Sequence, residues 1–173
     1  MLPISSLVSI VIAYLASWWS LPWLIKYLKR INLLVKDVHK ENTPLVPRSG
    51  GLAVAIGFMA GMMAFMFFFT FFVQDTPWLS QKSLPFLFAA ILTIFIITFI
   101  GFIDDLLMVK AEGKGGGLKQ WQKPLLTLSA AIPLMVVNAG TAKLVVPFYC
   151  HVDFGLLYPL LLIPLGVIGA ANM

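Results

Sequence analysis

Two adjacent carboxylates, Asp104 and Asp105, close an apolar run at Gly101-Phe102-Ile103-Asp104-Asp105 and are followed at once by a basic, glycine-rich loop. Placing one carboxylate in hydrocarbon costs about 2.5–3.5 kcal/mol on insertion scales. A pair at the C-terminal end of a helix also opposes the macrodipole. Such a pair needs a compensating partner. The candidates are a divalent cation, the lysines that follow (Lys110, Lys114, Lys119 and Lys123), or a phosphorylated substrate bridged through a metal. The plain alternative is a solvated pair that ends a spanning helix.

A second set of groups lies in the loop from Lys36 to Gly51. Pro44 and Pro47 stiffen it, and Gly50-Gly51 allows a tight approach to the next helix, whose first N–H groups form an anion site preceded by Arg48 and Ser49. Ser49 is also a good N-cap residue, which is the structural alternative. The later run Gly113-Lys114-Gly115-Gly116-Gly117 lacks the Walker A spacing, and its glycines read as flexible connection. Lys123, beside Pro124 at the start of an apolar segment, places an ammonium where it could hold a diphosphate oxygen. Hard cations prefer oxygen ligands, and Mg²⁺ takes one or two protein groups together with substrate phosphates. The acids with the amide of Asn172 would suit Mg²⁺, with Mn²⁺ as its substitute. A site at the membrane boundary would accept a lipid phosphate as one reactant.

The elements that carry these groups are membrane spans. The chain has 173 residues, 60% hydrophobic and 11% charged, too little polar surface to cover a soluble domain. Its net charge of +5 does not point to nucleic acid, because ten of the twelve Lys and Arg residues lie in two loops, Lys26 to Arg48 and Lys110 to Lys123. The single cysteine, Cys150, excludes an intramolecular disulfide. The first apolar run, Leu2 to Ile25, is too long for a signal-peptide core and reads as a retained anchor.

Apolar lengths predict an all-α, polytopic transmembrane bundle of about five spans in one membrane domain, 1–173. The spans are Leu2 to Ile25, Gly50 to Val73, Leu84 to Ile103, Pro124 to Val137 with its flanks, and a fifth from Leu156 that reaches Met173 without a polar flank, as a longer chain cut short would. The two basic loops are then cytoplasmic, and the fifth span returns Asn172 to the side of Asp104 and Asp105. Trp18, Trp19, Trp23, Trp78 and Trp121 fit interfacial belts, and Gly57 with Gly61 forms a GxxxG packing motif. A small β-hairpin is expected in the last outer loop, around Lys143 to Phe148 and His151 to Asp153.

Asp37 through Lys40, Pro44, Pro47, Gly50-Gly51, the Gly101 to Asp105 motif, Gln120-Trp121-Gln122-Lys123-Pro124 and Ala171-Asn172 together resemble the polyprenyl-phosphate sugar-1-phosphate transferases. The form is closer to the archaeal and eukaryotic enzymes that use UDP-GlcNAc than to the bacterial phospho-MurNAc-pentapeptide translocase. The similarity covers essentially the whole chain but only the N-terminal half of a typical member. The resemblance implies that Asp104 and Asp105 are the catalytic acidic pair, that Lys40 is a substrate-binding candidate, that Lys123 contacts the diphosphate, and that Asn172 coordinates Mg²⁺. It also implies a UDP-sugar and a polyprenyl or dolichyl phosphate as substrates, and a homodimer. The location would be the cell membrane in an archaeon or bacterium and the endoplasmic reticulum membrane in a eukaryote. Family members of the archaeal and eukaryotic type place an acid where this chain has Arg48. A further metal-binding aspartate and a sugar-gripping loop are expected beyond Met173, so residues 1–173 alone are expected to be inactive. The rival is a transporter or channel using Asp104 and Asp105 as a cation or proton site, which would set the acids near the bilayer midplane.

Overall fold

Helix α1, Leu2–Arg30, runs unbroken through Pro22 and stops where Asn32 turns left-handed at φ 55°. The stop is a Schellman motif: Leu33 N–H donates to Leu28 O at 2.9 Å and Asn32 N–H donates to Lys29 O at 3.2 Å. Leu28 and Leu33, the apolar pair of that motif, are both 1% exposed. The structure is a computed structural model and describes residues 2–36, 44–72, 83–110, 117–139, 143–145 and 151–171. Lys40, Trp78 and Asn172 lie outside the described residues.

Immediately after the turn, β1 (Leu34–Lys36) pairs antiparallel with β2 (Leu45–Pro47), in the register Leu34 to Pro47, Val35 to Val46 and Lys36 to Leu45. Sequence reading treated this stretch as a loop stiffened by prolines. The β-branched valines on either side of the polar segment were the available signal, and Pro47 is tolerated because it sits at the end of the ladder. Helix α2, Gly51–Phe72, follows, and then α3, Leu84–Lys110.

The chain divides into two compact units, Met1–Trp78 with Thr98–Leu118, and Leu79–Ile97 with Lys119–Met173. In the first unit α1 packs on α2 through small residues. Ala53, Gly57 and Gly61 recur every four residues along one buried stripe of α2. A β-carbon at Gly61 would lie 2.8 Å from Ala13 Cβ, and one at Gly57 would lie 2.7 Å from Ala13 O, so the two backbones approach as closely as the GxxxG spacing predicts. At the loop end of this pair, Leu24, Leu28, Leu33 and Ala53 form a core against which Leu52, Phe102, Leu106 and Val109 pack. Phe102, Leu106 and Val109 follow helical spacing, so they fix which face of α3 meets the core.

In the second unit α4, Gln122–Val136, begins with Pro124 in its first turn, where a missing N–H is harmless, and ends in another Schellman motif at Asn138, φ 50°. Strands β3 (Lys143–Val145) and β4 (His151–Asp153) form the expected hairpin, with Lys143 opposite Asp153. Asp153 Oδ1 accepts the Gly155 N–H at 3.0 Å, so this carboxylate caps its own turn. A π-turn at Tyr158–Leu162 leads into α5, Ile163–Ala171, and α4 packs against both.

The architecture is an all-α helix bundle of a membrane protein with small hairpins. Among the described residues three helices, α1, α2 and α3, are long and apolar enough to cross a membrane, and they correspond to the first three expected spans. Helix α4 has 15 residues, and the apolar helix Tyr158–Ala171 is likewise short. At 1.5 Å per residue, 15 residues cover roughly 22 Å, less than a hydrocarbon core of about 30 Å. The expected fourth run, Pro124 to Val137 with its flanks, coincides with α4 to within two residues at either end, and the Asn138 turn ends the helix there.

The close α1–α2 approach gives the first test. Gly57→Ala should destabilise the protein by about 1–3 kcal/mol, since α1 backbone stands in the way. Gly166→Ala, where nothing lies within 4 Å of an added methyl, should be neutral or slightly stabilising. Thermal unfolding in detergent distinguishes them.

Candidate functional site

Helix α3 delivers the two acids to different neighbours because consecutive helical residues point about 100° apart. Asp105 lies between Phe102 and Val109, three residues after one and four before the other, on the edge of the face that meets the core. From there it reaches the junction of β2 and α2. Arg48 Nε donates to Asp105 Oδ1 at 2.6 Å, and Ser49 Oγ donates to Asp105 Oδ2 at 2.5 Å. The Asp105 and Arg48 side chains are 21% and 34% exposed, so the ion pair is partly shielded from water. Charge-assisted bonds of this kind contribute about 1.5–3 kcal/mol.

Local backbone aims both donors. Arg48 N–H bonds to Leu33 O at 3.0 Å, which ties the end of β2 to the Schellman turn of α1. Ser49 is left-handed at φ 68°, and Leu52 N–H and Ala53 N–H bond to Ser49 O and Gly50 O. The left-handed residue at this corner is Ser49, and its hydroxyl goes to Asp105, so the N-cap alternative for Ser49 is not the contact seen. The single O–H of Ser49 is given to an ionised acceptor, which makes a stronger bond than a neutral one.

Asp104 turns toward the other loop. Its Oδ1 accepts the Leu118 N–H at 2.8 Å. The preceding Gly117 adopts φ +123°, and a β-carbon there would sit 3.1 Å from Asp104 Oδ1 and 3.5 Å from Met108 Cε. Gly117 therefore does more than add flexibility: its backbone conformation and missing side chain let residue 118 approach the acid. Sequence reading missed the Gly117-Leu118 contact, since no side-chain chemistry marks a backbone donor. It also named metal, lysine and substrate as compensating partners for the acids, whereas Asp105 uses Arg48.

The structure thus brings Asp104, Asp105, Arg48 and Ser49 together within the first unit, with Gly50 and Gly51 beginning α2 beside them. Lys123 belongs to the second unit, in the first turn of α4, where its carbonyl accepts the Thr127 hydroxyl at 3.0 Å. Among the described residues no three His, Cys, Asp or Glu side chains converge as a metal cluster. The donor set still suits a hard cation on a smaller scale. A single carboxylate such as Asp104, with substrate phosphates and water, is a complement that Mg²⁺ accepts. Both oxygens of Asp105 receive hydrogen bonds, so a cation bound there would compete with Arg48 and Ser49.

Comparison with known proteins adds identity to this geometry. The sequence profile of glycosyl transferase family 4 matches residues 86–173. A protein of Saccharolobus solfataricus, provisionally named UDP-N-acetylglucosamine–dolichyl-phosphate N-acetylglucosaminephosphotransferase, is 28% identical over 96% of this chain and 45% of its own length. A protein of Sulfolobus acidocaldarius with the same provisional name is 27% identical over 96% of this chain and 46% of its own length. A Dictyostelium discoideum protein bearing that name without qualification is 30% identical over 67% of this chain and 26% of its own length. The chain spans about half the length of the first two curated relatives or less.

Gly117→Ala should disturb the hold on Asp104. A left-handed or otherwise strained backbone costs about 1–3 kcal/mol in a residue with a side chain. Faster amide exchange at Leu118, with exchange in the α1–α2 pair unchanged, is the expected result in hydrogen-exchange mass spectrometry.

Proposed function

This chain belongs to glycosyl transferase family 4, and from that premise we propose that its protein transfers N-acetylglucosamine 1-phosphate from UDP-N-acetylglucosamine to a dolichyl-type polyprenyl phosphate. UMP is released, and the product is the first lipid-linked intermediate of a glycan. The reading is supported by the two relatives aligned over 96% of the chain, whose names give that donor, acceptor and transferred group. It places a multi-pass protein in the membrane with the reaction on the cytoplasmic side, in line with the positive charge of the two loops beside the acids.

The position of the acids along α3 supports this chemistry over a transport site. Asp104 comes 20 residues after Leu84, the start of α3. That is roughly 30 Å along the helix, the full thickness of a hydrocarbon core, not its middle. In the proposed reaction a lipid-phosphate oxygen attacks the sugar-bearing phosphorus of the UDP-sugar. The new P–O bond forms as the bond to the bridging oxygen of UMP breaks, and the electron pair leaves with UMP. A phosphate monoester has a second pKa of about 6, so the nucleophile is already largely dianionic at neutral pH and needs little general-base help. What the protein must supply is position and charge balance.

Asp104 is the group proposed to hold Mg²⁺ if it binds with the diphosphate, and the ion would supply neutralisation of phosphate charge. Arg48, paired with the adjacent Asp105, offers positive charge, and Lys123 is assigned to the diphosphate on the family resemblance alone. The Lys40 and Asn172 roles rest on that resemblance too.

The test is transfer by the full-length protein from radiolabelled UDP-N-acetylglucosamine to polyprenyl phosphate, with Mg²⁺ or with EDTA. Asp104→Asn should lower the rate by about 10²–10³-fold, the scale for losing one preorganised electrostatic group. UMP release at the wild-type rate in that variant would remove Asp104 from the reaction.

A further inference from the structure

Resting on that reading, we propose that Asp105 is a positioning residue: it takes Nε of Arg48 and so aims the terminal guanidinium nitrogens of Arg48 at a phosphate oxygen of the nucleotide-sugar diphosphate. The inference divides the adjacent acids into two jobs, with Asp104 facing the chemistry and Asp105 acting through Arg48.

The geometry favours this division. Both oxygens of Asp105 are engaged by residues of one corner, Oδ1 by Arg48 and Oδ2 by Ser49, so metal binding or proton abstraction by Asp105 would compete with two charge-assisted bonds. A guanidinium has five N–H donors in a rigid plane, and the contact to Asp105 uses the one on Nε. The four donors on the terminal nitrogens have no partner among the described residues, and the side chain is 34% exposed. The base of the side chain is held as firmly as its middle. On one side Arg48 N–H is bonded to Leu33 O, and on the other Ser49 is fixed in a left-handed turn.

A planar fork held at its root and at Nε, with its outer edge open, is the form in which arginine binds phosphate oxygens in pairs. Charge points the same way. Two neighbouring carboxylates would repel a diphosphate, and pairing one of them with Arg48 removes half of that repulsion. Lysine could supply the charge but not the paired donors.

The experiment is steady-state kinetics of the full-length protein with Arg48→Lys, Arg48→Gln, Asp105→Asn and the Arg48→Gln/Asp105→Asn double variant, with thermal unfolding of each. Arg48→Lys keeps the pair with Asp105 and should unfold like the wild type. Its KM for the UDP-sugar should nonetheless rise about tenfold or more, the scale of one charge-assisted contact, with kcat little changed. Asp105→Asn should reproduce the KM rise of Arg48→Gln, and the double variant should be no worse than Arg48→Gln.

Wild-type KM in Arg48→Lys would overturn the inference, as would multiplicative losses in the double variant. A collapse of kcat at unchanged KM in Asp105→Asn would make Asp105 a catalytic residue instead. Direct binding of UDP-N-acetylglucosamine to the unsubstituted protein separates the two layers: no binding and no transfer sinks the proposed function together with this inference. Transfer by the wild type with unaltered Arg48 variants sinks the inference alone.

Discussion

Negative charge at the C-terminal end of an apolar helix is the constraint around which the first unit is arranged. Asp104 and Asp105 fall in the last two turns of α3, where two adjacent carboxylates repel each other and need partners. A single partner for both is geometrically awkward, since neighbouring helical side chains diverge. The fold answers with two partners of different kinds. Asp105 receives a cation and a hydroxyl from the β2–α2 corner, and Asp104 receives a backbone N–H from the loop that follows α3. Each acid thereby anchors one of the two basic loops to the same helix end.

That arrangement depends on packing some distance away. The corner carrying Arg48 and Ser49 is placed by the Leu33 carbonyl, which is placed by the Schellman turn after α1, which is locked by Leu28 and Leu33 in the core. The same core takes Phe102, Leu106 and Val109 from α3 and so sets the rotation that brings Asp105 round to Arg48. In lipid the helices gain little from hydrophobic exclusion, so close contact and satisfied polar groups must hold them. The small-residue stripe of α2 against Ala13 supplies the first, and the ion pair supplies the second.

Much of this was legible in the sequence, for identifiable reasons. Long apolar runs, the Gly57–Gly61 spacing and the hairpin near Lys143 are local patterns, and local patterns survive into the fold. The adjacent acids stood out because their residue type conflicts with their surroundings. What escaped were relations between distant residues. Nothing in the order of residues says that Arg48 and not a nearer lysine meets Asp105, 57 positions away. The β1–β2 pair was hidden by its brevity and its prolines, and the three-residue ladder is held as much by flanking bonds as by strand propensity.

The hold on Asp104 has an evolutionary corollary. Its donor at position 118 is main chain, and every amino acid except proline carries that donor. Drift at 118 is therefore chemically silent toward the acid, whereas its glycine neighbour, at φ +123°, is confined to a residue without a β-carbon. The Asp105 contacts, by contrast, rest on two side chains, Arg48 and Ser49, that mutation can delete.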